Sequence, residues 1–261
     1  MKVLNRLAKR CLSHPLTSGL SIDDPRTTHL RRPVIESNAF LRRVYLEWYT
    51  ALAASLPHGD RPVLELGSGA GFLPALVPNV VTSEVFICPG VCVVLDGRAL
   101  PFRDGSLRGI LMTDVLHHVP EPRRFFAEAV RCLQVGGVVS MVEPWVSGWS
   151  RLIYTHLHHE PFDPEAPDWE FQPGGPLSGA NGALPWMIFE RDRATFDRQF
   201  PHLRVQCVRR MMPFRYLLSG GVSLRTVVPA WSFDLWRGAE AALLRRGNDW
   251  AMFAQVTLVK T

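Results

Sequence analysis

The stretch Val63-Leu64-Glu65-Leu66-Gly67-Ser68-Gly69-Ala70-Gly71-Phe72 decides the fold. Four residues, three of them apolar, follow Arg61-Pro62 and stop at a glycine-rich turn, the pattern of a short buried strand. Glycine lets the backbone turn tightly and approach a ligand closely, and ligands of open α/β sheets bind outside the carboxyl ends of the strands, where this turn falls. A dinucleotide fold wants G-x-G-x-x-G, whose third glycine packs helix on strand. Here Phe72 holds that position and the spacing is G-x-G-x-G. Glu65, just ahead of the turn, repels a pyrophosphate but pairs with an ammonium group. Both departures argue against a nicotinamide cofactor and for a ligand with a cationic amino-acid end.

Outward from the turn, short apolar runs alternate with turn signals. Residues 80–85, 92–95, 109–113 and 138–142 read as four more strands, and 122–133 as a helix with Phe125, Phe126, Ala129, Val130 and Leu133 on one side. Gly136-Gly137 stand where a stop to that helix is expected. Strands joined by crossovers give a largely parallel sheet. Only residues 86–91 link the second and third strands, against the dozen or so of an ordinary parallel crossover, and Pro89-Gly90 predicts a turn in place of a helix. Upstream, Phe40, Leu41, Val44, Tyr45, Trp48, Tyr49 and Leu52 recur at helical spacing and predict a helix packed on the sheet. Downstream, residues 205–208 read as a strand, 216–221 as a turn, 231–244 as a helix, and 250–259 as a strand apolar on both faces and therefore interior.

Composition bounds the function. The 261 residues are 47% hydrophobic and 20% charged, which excludes a disordered chain. No run of about 18 apolar residues occurs, so no transmembrane helix is expected. The five cysteines, Cys11, Cys88, Cys92, Cys132 and Cys207, are odd in number and scattered, which argues for reduced thiols and a cytoplasmic protein. Cys88 and Cys92 lack a second pair, and no metal is expected there. Of the 29 basic residues only Lys2, Lys9 and Lys260 are lysine, and the arginines form no stripe, so no nucleic-acid partner is expected. Leu4, Leu7 and Leu12, with Lys2, Arg6, Lys9 and Arg10 beside them, fit a weak membrane-surface contact or a frayed terminal helix.

Beyond the glycine turn, residues 61–145 resemble the class I S-adenosylmethionine-dependent methyltransferases, small-molecule branch. Glu65, Gly67, Ser68, Gly69 and Gly71 match the family's first motif, which contacts the methionine part of the cofactor. Glu84 matches the acidic residue at the end of the second strand that binds the ribose hydroxyls. Asp96 and Gly97 match the segment whose side chain and backbone amide read the adenine edge, and Thr113 opens the segment under the cofactor. Val135-Gly136-Gly137 resemble the family's Pro-Gly-Gly turn, with Val for Pro. The resemblance implies S-adenosyl-L-methionine as cofactor and a Rossmann-like, mostly parallel seven-strand sheet with an antiparallel final strand between the fifth and sixth. The expected organisation is a helical lead-in over residues 1–60 and a methyltransferase domain over 61–261.

Residues 146–190, rich in His, Trp, Pro and Gly, are expected to cover the acceptor pocket as a lid; a partner or dimer surface is the alternative. His156 and Glu160 are four apart, so on a helix they pair as a base and its carboxylate; the same spacing suits a metal or a structural cluster. His118, with His117 beside it, sits nearer the cofactor. The catalytic candidates are therefore His156, His118 and Glu160, with no metal expected. Glu190-Arg191-Asp192-Arg193 open a helix that turns Phe196 and Phe200 inward. The expected activity is methyl transfer to a small organic acceptor, on oxygen. A lipid or glycan intermediate at a membrane face, or a cofactor-binding protein without transferase activity, are the rival readings.

Overall fold

Strand β1 (Val63–Leu66) is buried at all four positions and pairs in parallel on both sides, with β2 (Val80–Glu84) and β4 (Leu107–Thr113). Seven strands follow the order β3-β2-β1-β4-β5-β7-β6, completed by β3 (Val93–Val94), β5 (Leu133–Pro144), β6 (Leu203–Met211) and β7 (Phe253–Lys260). The helices are α1 (Pro25–Ser37), α2 (Ala39–Ala53), α3 (Pro122–Cys132), α4 (Gly148–His156), α5 (Leu184–Trp186), α6 (Arg193–Gln199), α7 (Arg215–Ser219) and α8 (Phe233–Arg246). This computed structural model describes residues 14–261 except Ser18, Ala70, His159, Pro173, Pro176 and Asn248. The basic leucine-bearing segment at the start of the chain lies outside the described residues.

The sheet is parallel from β3 to β5 and antiparallel beyond, as expected of an α/β sheet with an inserted last strand. β7 lies between β5 and β6, and Phe253 to Leu258 along it are buried. Covering on both faces is what its largely apolar character demands, with Gln255 and Thr257 the buried polar exceptions. Phe125 and Phe126 of α3 pack on one face with Phe189 and Phe196. On the other, α2 buries Phe40, Leu41, Val44, Trp48, Tyr49 and Leu52 at the predicted helical spacing. Trp48 is wedged between Tyr216 and Phe253, with ring centroids 5.3 and 5.1 Å away. Each such large side chain contributes about 1.5–3 kcal/mol of burial.

Two local expectations are corrected. Helix α3 ends at Cys132, because Leu133 already has extended backbone, and Gly136-Gly137 fall inside β5. Leu107 pairs with Leu133 and Gly109 with Val138, so β5 spends five residues where β4 spends two. Gly136 takes up the excess at φ +77, and a side chain on Gly137 would meet the Gln134 carbonyl at 2.9 Å. Residues 216–221 are not a simple turn: α7 runs to Ser219 and is capped by left-handed Gly220. Helix α1 has no strong apolar stripe to betray it, burying only Thr27, Thr28, Val34 and Ile35, and it contains Pro33. The short link from β2 to β3 is a turn, as Pro89-Gly90 predicts, and β3 shrinks to two residues to accommodate it.

The described residues of 157–183 carry no helix or strand but are tied down. Trp169 is buried, donates its indole N–H to Asp192 (2.8 Å) and lies under the Arg123 guanidinium. Buried Asn181 accepts from the backbone N–H of Asp163 and Ala183 and donates to the Asp163 carbonyl, while its own N–H reaches the His117 carbonyl at 2.9 Å. Among the described residues, no helix is long and apolar enough to cross a membrane.

Candidate active site

A cavity of about 360 Å³ opens at the carboxyl ends of β1, β2 and β4. Glu65, Gly67, Ser68, Gly69, Gly71, Glu84, Asp96, Gly97 and Thr113, all expected from the sequence to hold a cofactor, line it together.

The turn after β1 is packed too closely for side chains. Gly67 has φ +66, and a Cβ there would sit 2.6 Å from a methyl of Val115. Ser68 clamps the turn to β2: its N–H donates to the Ser83 carbonyl, and its hydroxyl accepts from the Ser83 N–H at 3.0 Å. Glu84, buried at the end of β2, accepts from the Gly69 N–H (2.8 Å) and from its neighbour Val85 (3.2 Å). Burial nonetheless raises its pKa above the ordinary carboxylate value.

Glu65 is 3% exposed, and its Oε2 has no hydrogen-bond partner. Burial first, then the nearby Glu84 carboxylate, push it up to about 8. Such a group lacks a cation, because a buried carboxylate without a partner carries the full cost of desolvation. Asp96 has both oxygens engaged by Arg98, at 2.7–3.0 Å, and this holds its pKa low. Gly97 packs against Leu66, where a Cβ would approach to 3.0 Å.

The inner wall follows β4. Asp114, at φ +63, turns the chain after Thr113. It lies deep in the fold but faces the cavity, which leaves its side chain 39% exposed. Glu143, at the end of β5, is fully buried; one oxygen accepts from the N–H groups of Val115 and Leu116, and the other lies 2.7 Å from His117 Nδ1. His118 Nδ1 lies 3.2 Å from the Gly179 carbonyl, so the proton belongs on Nδ1 and the Nε2 lone pair is left toward Glu160, 4.0 Å away. Glu160 also lies 3.5 Å from His117 Nε2 and 3.8 Å from His158 Nδ1.

Electrostatics sort these groups. Burial opposes a charge on His117, but Glu143, Glu160 and Asp114 together carry its pKa well above the ordinary value. Burial, then the charge of His117, push His118 down to about 3, so it is neutral. Burial also opposes ionisation of Glu160, yet His117, His118 and His158 hold its carboxyl well below the usual range.

Of the three catalytic candidates, His118 and Glu160 meet in the cavity wall and His156 does not. His156 is exposed at the last position of α4, and the helix stops there. The helical pairing of His156 with Glu160 is therefore corrected: the chain bends after Leu157, the Glu160 N–H turns back to His158 Nδ1, and Glu160 swings to the histidines after β4. His159 lies outside the described residues. Sequence reasoning left Asp114 and Glu143 without a role. Glu143, an acid inside an otherwise apolar strand end, was the available signal. Arg31, Tyr45, Tyr49 and Tyr216 also reach the cavity, from helices no motif marks.

Residues 64–141 match the methyltransferase domain family. The segment that carries the β1 turn is therefore similar to a methyltransferase domain. An uncharacterized methyltransferase of Mycobacterium sp. (strain JLS) is 34% identical over 94 residues, covering 31% of this chain and 37% of that protein. One from Mycobacterium leprae (strain Br4923) is 29% identical over 102 residues, covering 31% and 38%. The chain thus spans less than two fifths of the length of the curated relatives it matches. Two solved structures share the fold. A methyltransferase of Thermotoga maritima described as a possible histamine N-methyltransferase has a TM-score of 0.52 at 15% identity, covering 90% of this chain and 100% of that one. Geranyl diphosphate C-methyltransferase of Streptomyces coelicolor, solved with Mg2+, geranyl diphosphate and S-adenosyl-L-homocysteine, has a TM-score of 0.50 at 14% identity, covering 88% and 83%.

The matched family indicates S-adenosylmethionine as cofactor, and the residues of this chain fit it. The partnerless oxygen of Glu65 suits the ammonium group, the Gly67 turn packs too closely on Val115 for a side chain and so presents backbone to the cavity, and Glu84 presents a carboxylate where hydroxyls would donate. Asp96 fits less simply, since Arg98 already engages both its oxygens.

Proposed function

We propose that this methyltransferase carries the methyl group of S-adenosylmethionine to the oxygen of a small organic acceptor held at the inner end of the cavity. The observation that carries the reading is Glu65: a buried carboxylate oxygen without a partner, beside a turn with no room for side chains, in the same cavity as His118 and Glu160. The bound cofactor would supply an electrophilic methyl on a cationic sulfur.

The chain's own contribution is placement and dryness. Proximity and alignment of reacting groups near 3–3.5 Å supply several kcal/mol without a strong base. His118, neutral with its Nδ1 proton held by Gly179, and ionised Glu160 both offer lone pairs, which orient an acceptor that donates, such as a hydroxyl. His118 is too weakly basic to drive proton removal, so orientation is its main role. Residues 146–190 serve as the lid, with Gly179 and Glu160 delivering its polar groups to the cavity. The small cavity suits a small acceptor, and the reduced state expected of the scattered cysteines suits a cytoplasmic enzyme.

Incubation of the protein with methyl-labelled S-adenosylmethionine and a library of hydroxylated small molecules, read by mass spectrometry, tests the reading. Labelled O-methyl product is expected with the wild type and not with Gly69→Asp, whose Cβ starts 3.5 Å from Glu84 Oε1 and whose carboxylate would crowd that site. Label on nitrogen or carbon overturns the oxygen assignment. Cofactor binding without any product overturns the transferase assignment.

A further inference from the structure

The cluster at the inner wall has a feature that acceptor orientation does not require. His117 Nε2 is fully buried and makes no hydrogen bond; its nearest neighbours are the Glu160 carboxylate at 3.5 Å and Asp114 at 4.0 Å. His118 Nε2 lies 4.0 Å from the other Glu160 oxygen. One atom from each of His117, His118 and Glu160 falls within 4.8 Å of the other two. Ligand atoms around a four- to six-coordinate transition metal, bound at about 2.0–2.2 Å, lie roughly 3–3.5 Å apart. The spacing here closes to that range by a shift of about an ångström at its widest pair, with Glu160 already in range of His117.

The outer partners support the same reading. His117 Nδ1 is held by the Glu143 carboxylate at 2.7 Å, and Glu143 is fixed by two backbone N–H groups. His118 Nδ1 is held by the Gly179 carbonyl. Each imidazole thus has its Nδ1 committed to a carboxylate or a carbonyl and its Nε2 turned to a common point. That is how proteins fix the tautomer and ring plane of metal-bound histidines. The two histidines are adjacent in the chain and come within 4.1 Å, centroid to centroid, on the short 3-10 turn after β4.

We propose that His117 Nε2, His118 Nε2 and the Glu160 carboxylate form a site for a divalent transition metal, with Asp114 beside it. Two imidazoles and a carboxylate select a borderline cation such as Zn2+, Co2+ or Fe2+ over Mg2+ or Ca2+, which prefer all-oxygen sites. His118, Glu160 and Asp114 line the cavity, so the remaining coordination positions open into it. A three-ligand site with open positions takes water or a ligand oxygen, unlike a closed structural site. The site does not depend on the transferase reading and is tested without cofactor.

The experiment uses the full chain, stripped with a chelator and titrated with Co2+, following visible d–d absorption and retained metal by mass spectrometry after gel filtration. One equivalent of Co2+ is expected, displaced by Zn2+ and not by Mg2+. His118→Ala and Glu160→Gln should each weaken binding at least tenfold, and Glu143→Gln should weaken it about 10–100-fold through His117. The thermal denaturation midpoint of each metal-free variant reports on the fold, so a lost metal site and a lost fold are told apart. Absence of a d–d band and of retained metal overturns the proposal and leaves a buried histidine–carboxylate cluster. So does one equivalent that persists in His118→Ala and Glu160→Gln, which would place the ion elsewhere.

Discussion

His117 Nδ1 lies 2.7 Å from Oε2 of Glu143, and neither side chain has any exposure to solvent. The second oxygen of Glu143 accepts from Val115 and Leu116. Glu143→Ala therefore strands three donors at once. Truncating one partner of a buried pair costs about 3–5 kcal/mol, and urea denaturation should register a loss of that size. Glu143→Gln keeps an oxygen for the two N–H groups and should lose less. Equal losses would show that the His117 contact carries the cost and that the two backbone N–H groups contribute little.

Glu65 links cofactor affinity to pH. Its folded value of about 8 stands above the ordinary 4.5, so burial favours the protonated form. Its contribution to stability is thus present in full below about 4.5 and is lost as pH rises through about 8. An ammonium ligand needs the ionised form. Affinity for S-adenosylmethionine should therefore rise with pH below about 8, by up to about tenfold per unit, and fall above it as the ligand's own α-ammonium loses its proton. Glu65→Gln should flatten this dependence and cost about 1.5–3 kcal/mol of binding at pH 8. Calorimetric titrations in two buffers of different ionisation heat also count the proton released. A flat wild-type profile contradicts the assignment.

The turn after β1 can be probed by one methyl group. Gly67→Ala places a Cβ 2.6 Å from Val115 Cγ2 and keeps φ at +66, where an L-residue is strained. The backbone share is about 1–2 kcal/mol, and the clash adds to it. The double variant Gly67→Ala/Val115→Ala should recover the clash but not the strain. Thermal denaturation of the four species measures the two parts. Full recovery would mean the dihedral carries no cost.

Much of this was legible in the sequence, for local reasons. β1, the glycine turn and α2 announce themselves by apolar runs, glycine spacing and a 3.6-residue stripe, and Glu65, Gly67, Gly69 and Glu84 meet in one cavity as expected. The sequence pairs Glu160 with His156, whereas the structure sets it beside His117, His118 and His158. Its true neighbours depend on residues 157–183, whose path is set by contacts far apart in sequence, such as Asn181 with the His117 carbonyl and Gly179 with His118. His156 was misread because a spacing of four means a shared face only while the helix lasts, and α4 ends at His156. Gly136-Gly137 misled in the same manner: glycine marks a break in regular structure, and only the register of β4 against β5 shows it to be a bulge.

Asn181 tests whether the segment over the cavity acts as a unit. Asn181→Ala leaves the N–H groups of Asp163 and Ala183 without side-chain acceptors and removes a donor from the Asp163 carbonyl. A loss of about 1–3 kcal/mol per buried group left unpaired is expected locally. Limited proteolysis should then cut within residues 157–183 faster than in the wild type, and acceptor KM should rise more than cofactor Kd. Unchanged cleavage would mean that Trp169 and the Asp23 contacts to Leu177 and Ser178 hold the segment without it.

The central claim is that the pocket around the β1 turn grips a sulfonium nucleoside by its amino-acid end. A crystal structure of the protein with S-adenosylhomocysteine tests it most directly. The account predicts the ligand ammonium within hydrogen-bond distance of Glu65 Oε2, the ribose hydroxyls at Glu84, and the sulfur facing His118 and Glu160. Density for the ligand in another cavity, or an amino group turned away from Glu65, contradicts it.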